Sequence, residues 1–343
     1  EILKIQLQSN TNRNCNLFKH FKNVYLQDAT HYSLAKHLVD LFPGNTTCGA
    51  KRAVAKVVTI FNIKKGCFSK FDLTHFTQAD TASTNMIYQF IKARDLMIRD
   101  LGYFMISDFE KIKKFGAYFL SRYKLNVAIY DIKTSQQLNL AKLLKKQPRF
   151  DGQVMLSTKC PISVRLVAVP LPAKAVQERI RKAKADKRNE KTNHNKEYYF
   201  LLGFAIYITN IDETIWTVED VCDAYRCRWH IEILFKSWKS NLKSQYTEPD
   251  QYATETSVKI HFYLLMVYVS VFIMPLLIKL EKMINKTKKN IQISVLKLTS
   301  YIALNLQELL YIIIDKQKLE TIAYHTKYDS RTDRNNFMQF LYE

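Results

Sequence analysis

The sequence predicts an α/β protein in which a mixed sheet is flanked by helices, with a β-rich insertion before a long helix. Three observations support this prediction. Short apolar runs alternate with helical patterns in the first third of the chain. Residues 124–210 change to short strand-like runs separated by prolines. Residues 217–243 then form the strongest helical pattern in the chain.

The patterns before residue 123 follow the order strand, hairpin, helix, strand, helix, strand. Val24-Tyr25-Leu26 predicts a strand that ends at Asp28. Residues 54–62 and 68–76 are rich in strand formers, and Lys64-Lys65-Gly66 between them predicts a hairpin. The remaining patterns predict helices at 84–94 and 107–115. They also predict a strand at 96–98, which leads into Asp100, and a strand at 117–122.

The insertion, residues 124–212, is predicted to be mostly β and contains a basic arm at residues 174–196. The arm carries nine Lys and Arg against three acids. Such a run is commonly a solvated face, but its one-signed charge favours contacts with phosphates. Residues 200–210 predict a buried strand. Thr217 is a plausible N-cap for the long helix that follows.

The most apolar stretch is Phe262–Ile278, which has 17 residues and is interrupted by Pro275. One interpretation is a short membrane span, and the favoured one is a buried helix, because no second span accompanies it. Residues 284–343 predict a helical tail with a helix around 291–315. Residues 1–21 predict a connector.

The charge balance indicates a polyanionic partner. The chain has 52 Lys and Arg against 31 Asp and Glu, a formal net charge of +21. Nucleic acid is the commonest partner of such a surface, and an anionic membrane is the alternative.

The six scattered cysteines include no CxxC pair, which predicts reduced thiols and a cytoplasmic setting. Cys222, Cys227 and His230 lie close in sequence, where packing on one helix is favoured over a metal site.

The helix at 217–243 carries side chains whose spacing indicates chemistry. At about 100° per residue, Tyr225, Arg228, Glu232 and Lys239 fall on one stripe about 60° wide. Arg and Lys bind phosphates, Tyr can donate to a phosphate or stack on a base, and Glu can hold a hard metal ion. The alternative is a solvated face on which Arg228 and Glu232 form an i,i+4 salt bridge.

Residues 225–239, YRCRWHIEILFKSWK, resemble the Y-x2-R-x3-E-x6-K motif of the insertion-sequence-four family of DDE transposases. Tyr225, Arg228, Glu232 and Lys239 match its four positions without a gap. The resemblance covers roughly residues 22–280. Further similar blocks are 26–30 and 99–104, which carry the family's first and second catalytic Asp, together with 119–126 and 208–210.

The resemblance implies an RNase-H-like catalytic core formed by residues 22–123 and 213–283, with the insertion between them. It implies that the catalytic residues, which also bind two Mg²⁺ or Mn²⁺ ions, are Asp28, Asp100 and Glu232. DNA contacts are implied for Tyr225, Arg228, Lys239, Arg122 and Lys236. It further implies double-stranded DNA as the partner, at transposon ends and target, a homodimer in the DNA complex, no membrane association, and a cytoplasmic, nucleoid-associated location.

The residue types suit this chemistry without the family. Phosphodiester cleavage needs an activated water and a stabilised leaving oxygen, and two divalent ions about 3.5–4 Å apart, held by carboxylates, provide both. Taken singly, Asp28 and Asp100 would each more often be a turn or cap residue. Only the ordered set, completed by Glu232, predicts a catalytic site.

Two departures from the family pattern affect these expectations. The family has a DNA-end-binding region upstream, whereas 27 residues precede Asp28 here, so we expect further sequence before this chain. Some members hold a flipped base with a Trp of the insertion; Trp216 lies too close to the helix, and Phe204 or Tyr207 match that position loosely. Two alternatives stay open: an RNase-H-like nuclease without strand transfer, and a DNA-binding protein derived from a transposase.

Overall fold

The computed structural model describes residues 16–47, 49–157, 161–185, 195–242, 253–287, 292–305 and 315–328. The chain forms two compact units. The first unit is Glu1–Ile87 together with Arg226–Glu343, and the second unit is Tyr88–Tyr225. Each combines a sheet with helices, so the predicted mixed α/β class is confirmed.

The described strands are β1 (Val24–Ser33), β2 (Pro43–Thr47), β3 (Ala50–Asn62), β4 (Cys67–His75), β5 (Leu96–Arg99), β6 (Tyr118–Arg122), β7 (Ile129–Tyr130), β8 (Gln137–Leu138), β9 (Phe150–Leu156), β10 (Ile162–Pro170) and β11 (Phe204–Thr209). The described α-helices are α1 (Ile106–Lys114), α2 (Leu140–Lys146), α3 (Ala173–Ala185), α4 (Lys196–Leu201), α5 (Val218–Arg226), α6 (Trp229–Ser240), α7 (Glu255–Tyr268), α8 (Met274–Thr287), α9 (Val295–Leu304) and α10 (Lys316–Thr326).

Strand β3 organises the sheet of the first unit. Its 13 residues accommodate three antiparallel partners, with β2 along its beginning and β1 and β4 along the remainder. Every residue from Ala53 to Asn62 is buried, as expected when both faces of a strand are covered. The predicted hairpin between β3 and β4 is confirmed, and Gly66 in its turn has a φ of +61°, which suits glycine.

The sheet of the second unit is mixed. Its described strands lie in the order β5-β6-β11-β10-β9-β7-β8. Strands β5 and β6 pair in parallel, and the other pairs are antiparallel. A parallel neighbour requires a crossover connection, which α1 provides between β5 and β6. The turn after β5 is thereby tied to α1, and Asp100 stands in that turn.

Three sequence predictions need correction. Strand β1 runs on to Ser33, so Asp28 lies within the strand and not at its end. The alternation of buried Thr30 and Tyr32 with exposed His31 and Ser33 explains why the strand continues. The strand predicted for residues 200–210 starts only at Phe204, because α4 occupies the preceding residues. The helix predicted at 84–94 is a 3-10 helix at Asp80–Gln89.

The helix predicted at 217–243 is two helices, α5 and α6. Thr217 caps α5 as predicted, with its Oγ1 accepting from the Asp220 amide at 3.2 Å. Cys227 and Arg228 form the turn between the helices, where the His230 amide donates to the Cys227 carbonyl at 3.0 Å in a tight i→i−3 pattern. The predicted single helix is therefore wrong: Arg228, Glu232 and Lys239 keep helical spacing along α6, whereas Tyr225 lies on α5.

The apolar stretch at 262–278 is helical and runs from α7 through a π-helical segment, Val269–Ile273, into α8. Among the described residues one helix, Glu255–Ile284, is long and apolar enough to cross a membrane by length and composition. The predicted burial holds for one face, which includes Phe262 and Met266, whereas Leu264 and Val267 are exposed.

Candidate active site

One arginine joins two of the predicted catalytic carboxylates in the first unit. Nη1 of Arg228 donates to Oδ2 of Asp28 at 3.2 Å, and Nη2 donates to Oε1 of Glu232 at 2.6 Å. The Arg228 side chain is 7% exposed, that of Asp28 18% and that of Glu232 36%. The i,i+4 pair weighed from the sequence is therefore present, but its arginine is buried and also binds a second acid.

Asp28 is positioned by its place in the sheet. It is the antiparallel partner of Thr59 on β3, and the Ala29 amide donates to its Oδ1 at 2.8 Å. The neighbouring Gln27 is fully buried and donates from Nε2 to the Ser83 carbonyl at 2.7 Å. The strand is thus fixed on both sides of Asp28, which limits the movement of its carboxylate.

Glu232 is positioned by the packing of α6 against the first unit's sheet. The buried residues of this helix follow helical spacing and include Ile231, Leu234, Phe235 and Trp238. The Trp238 ring packs on Phe68 with centroids 5.2 Å apart, and His230 packs on Phe61 at 5.4 Å. These contacts fix the rotation of α6 about its axis and leave Glu232 half-buried beside Arg228.

Asp100 belongs to the second unit and directly follows β5. It stands at the N-cap of a 3-10 turn, Leu101–Tyr103, and makes no side-chain cap bond there. The Tyr225 hydroxyl donates to Oδ1 of Asp100 at 3.2 Å. Tyr225 is 5% exposed and packs on Tyr207 with ring centroids 5.0 Å apart. In this structure Tyr225 therefore contacts a carboxylate, which the sequence did not predict across a separation of 125 residues.

Arg165 anchors the beginning of the helix that carries Tyr225. It donates from Nε and Nη2 to the two carboxylate oxygens of Asp151, both at 2.7 Å. Its Nη1 donates to the Trp216 carbonyl at 2.7 Å. Trp216 is 2% exposed, so its ring is a core residue. The bidentate pair with Asp151 holds the Arg165 guanidinium in place, and its bond to the Trp216 carbonyl then fixes the chain just before α5.

The other predicted DNA-binding residues lie in different environments. Lys236 is exposed on α6. Lys239 lies over the Tyr32 ring with Nζ 5.2 Å from the centroid, and burial lowers the pKa of its ammonium group. Arg122 is half-buried at the end of β6. The first part of the basic arm is helix α3, and residues 186–194 of the arm lie outside the described residues.

The donor set fits a hard divalent ion in part. Asp28 and Glu232 offer carboxylate oxygens, which such ions prefer, and the guanidinium that they share shows that one positive charge can satisfy both. Within the described residues, no three His, Cys, Asp or Glu side chains are grouped to hold a metal ion. Cys222, Cys227 and His230 do not form such a group. The carboxylate metal site remains a prediction.

Half-buried carboxylates in a strongly basic chain suit chemistry on phosphodiesters, because carboxylates can hold divalent ions and basic side chains bind phosphates. A family model described as "Transposase DDE domain" matches residues 19–264. The match covers well over half of the 343 residues, so the chain belongs to the transposase DDE domain family.

Several curated transposases are similar to this chain. It is 30% identical over 242 residues to the transposase for insertion sequence element IS231D of Bacillus thuringiensis subsp. finitimus, a match of 65% of this chain and 50% of the relative. It is 25% identical over 252 residues to the transposase for insertion sequence element IS1151 of Clostridium perfringens, a match of 68% and 53%. The chain spans about half the length of these relatives.

Among solved structures, a piggyBac transposase synaptic complex with hairpin DNA matches with a TM-score of 0.39 and 8% identity. That match covers 91% of this chain and 59% of the other.

Proposed function

We propose that this chain is the catalytic part of a DNA transposase that cuts an insertion sequence at its ends and joins it to target DNA. The observation that supports this most directly is the Arg228 bridge between Asp28 and Glu232 in a chain of this family. A solvated Arg228–Glu232 pair would need no further carboxylate. Here Asp28, which lies 200 residues away in the sequence, also binds Arg228.

A hydrolysis and a transesterification account for the reaction. In cleavage, a water oxygen attacks phosphorus, the bond to the 3′ oxygen breaks, and that oxygen takes up a proton. In joining, the freed 3′-OH attacks a target phosphodiester and displaces another 3′ oxygen. The number of phosphodiester bonds is unchanged in the second step, so no nucleotide cofactor is required.

Asp28, Asp100 and Glu232 are the proposed ligands of two Mg²⁺ or Mn²⁺ ions. When bound, such ions activate the attacking oxygen and stabilise charge on the leaving oxygen. Arg228 orients two of these carboxylates, and Tyr225 orients the third.

The proposed partner is double-stranded DNA, held through its phosphates by Lys236, Lys239, Arg122 and the basic arm. A homodimer in the DNA complex and a cytoplasmic location beside the nucleoid belong to the same proposal.

Substitution of Glu232 by Gln tests the proposal. Gln keeps the size of the side chain but removes the charge that a metal ion needs, so Mg²⁺-dependent cleavage of a labelled transposon end should fall by at least about a hundredfold. The experiment uses the protein with any sequence that flanks this chain in its gene. DNA binding in EDTA should stay close to that of the parent.

Glu110→Gln is the matched control, because Glu110 also forms an i,i+4 pair, with Lys114, on a solvated helix face. Equal cleavage by the two variants would show that Glu232 is not a metal ligand. Cleavage without a joined product in the parent would identify a nuclease. End binding without cleavage in the parent would identify a DNA-binding derivative.

A further inference from the structure

Two arginines of the second unit are brought together around β6 and β11. Arg122 is the antiparallel partner of Tyr207, so the two side chains lie on the same face of the sheet. Arg179 lies on α3, and its Nη1 donates to the Phe204 carbonyl at the start of β11 at 2.8 Å. This bond holds the guanidinium of the basic arm against the strand that carries Tyr207.

The guanidinium of Arg179 is close enough to that of Arg122 for the two positive charges to interact. Burial lowers the pKa of Arg179, and the nearby positive charge of Arg122 lowers it further. Within the described residues neither arginine forms an ion pair, whereas the buried arginines Arg99, Arg165 and Arg228 each bind an aspartate. Two half-buried like charges destabilise each other, and an anion between them would remove that penalty.

The same cluster is connected to Asp100. The ring of Tyr207 packs on Tyr225, and the Tyr225 hydroxyl donates to the Asp100 carboxylate. Arg122 and Arg179 therefore lie one pair of aromatic rings away from a proposed metal ligand. Ligands that reach this position would lie next to a phosphate that reacts at Asp100.

We infer that Arg122 and Arg179 form a clamp for a single phosphodiester group of the DNA strand, adjacent to the phosphodiester that reacts at Asp100. The inference rests on the proposed function for its ligand. A phosphodiester fits because guanidinium groups present paired N–H donors that match two phosphate oxygens. Arg149 of the same unit differs, since its side chain is 56% exposed and binds Glu219.

The test measures binding of a fluorescein-labelled DNA duplex of unrelated sequence to the whole chain in EDTA. Arg179→Ala and Arg122→Ala should each weaken binding about tenfold, as expected for a charge-assisted contact in a half-buried site. Arg149→Ala removes the same charge from an exposed site of the same unit, outside the basic arm, and should change the affinity by no more than about twofold. Equal losses for Arg179→Ala and Arg149→Ala would overturn the clamp.

A double-mutant cycle tests whether one phosphate is shared. If both arginines hold the same group, the Arg122→Ala/Arg179→Ala double variant should bind about as weakly as either single variant. Two independent surface charges would instead give multiplied losses, which would also overturn the clamp. The cycle of Arg122→Ala with Arg149→Ala is the additive reference.

Two further measurements separate this test from other failures. Binding in EDTA does not depend on cleavage, so a clamp without catalysis would refute the proposed function and leave the clamp intact. Arg179→Ala could also release α3 from β11. Arg179→Lys keeps the charge, and if it restores neither binding nor the melting temperature of the parent, the role of Arg179 is structural and the inference is wrong.

Discussion

At the scale of single residues, Arg228 is the side chain on which the most depends. Its guanidinium faces carboxylates from a strand and from a helix, and its burial removes most of the water that would otherwise screen them. Asp28 and Glu232 would repel each other without it. The residue is therefore both a structural cross-link and an electrostatic partner of the proposed site.

Arg228→Ala should lower the stability of the metal-free protein by about 1–2 kcal/mol, a value reduced for the partial exposure of Glu232. Addition of Mg²⁺ should raise the melting temperature of this variant more than that of the parent, because the ion replaces the lost positive charge. Thermal unfolding in EDTA and in Mg²⁺ measures both effects.

Arg149→Ala is the control, since the Arg149–Glu219 pair is exposed on both sides. It should change the melting temperature little in either buffer. If Mg²⁺ raises the melting temperatures of the parent and of Arg228→Ala equally, Asp28 and Glu232 are not metal ligands.

Residue pairs close in sequence were easier to predict than their surroundings. The Arg228–Glu232 pair followed from i,i+4 spacing, but the Asp28 contact did not, because no local pattern shows that α6 packs beside β1. The sequence analysis did not single out Arg179, because it is one of nine Lys and Arg residues in the basic arm. Its signal was its position on the apolar stripe of α3 with Val176 and Ile180, which are half-buried like Arg179 itself.

At the scale of elements, a buried ion pair ties β5 to α1. Arg99, the last residue of β5, binds Asp108 on α1, and the Tyr88 hydroxyl also donates to Asp108. Both charged side chains are essentially inaccessible to water. Burial raises the pKa of Asp108, and Arg99 and Tyr88 oppose that shift by stabilising the carboxylate. Asp100 follows Arg99 directly, so this pair fixes the turn in which it stands.

Asp108→Ala should therefore destabilise the protein by about 3–5 kcal/mol, since it leaves the Arg99 charge buried without its partner. Glu110→Ala, which removes the exposed partner of Lys114 from the same helix, should cost less than about 0.5 kcal/mol. Urea unfolding of both variants measures the difference. A loss for Asp108→Ala as small as that for Glu110→Ala would show that the pair does not stabilise the β5–α1 connection.

Element boundaries were predicted best where local chemistry sets them. Thr217 and Gly66 mark a helix start and a turn through their own hydrogen bonding and φ preference. The break at Cys227 and Arg228 contains neither glycine nor proline, so no local pattern predicts it. The burial of Arg228 against Asp28, a contact distant in sequence, accompanies the break.

At the scale of the whole molecule, we expect the net charge of +21 to govern binding to the proposed DNA partner. Binding that releases counterions from several phosphates weakens steeply with salt. We expect the affinity for a duplex of unrelated sequence to fall about a thousandfold between about 50 and 200 mM KCl. Fluorescence anisotropy across this range gives the slope, and a flat profile would contradict phosphate contacts by the basic arm and α6.

The fold class and the order of elements were predictable because apolar periodicity is local. A core built from two separate segments was expected from the family resemblance, whereas the observed limits of the units, at Ile87 and Arg226, depend on contacts distant in sequence. The predicted boundaries at residues 123 and 212 remain a prediction.

The Arg228 guanidinium occupies both Asp28 and Glu232, so it competes with any cation that would bind these two carboxylates. Any cation that binds Asp28 and Glu232 together must first displace an attached ligand that is always present and never diffuses away. Selection then follows from charge: a monovalent ion offers no more than Arg228 already supplies, whereas a divalent ion offers twice as much. We therefore expect sodium and potassium to leave the Arg228 bridge in place, and a divalent ion to compete with it.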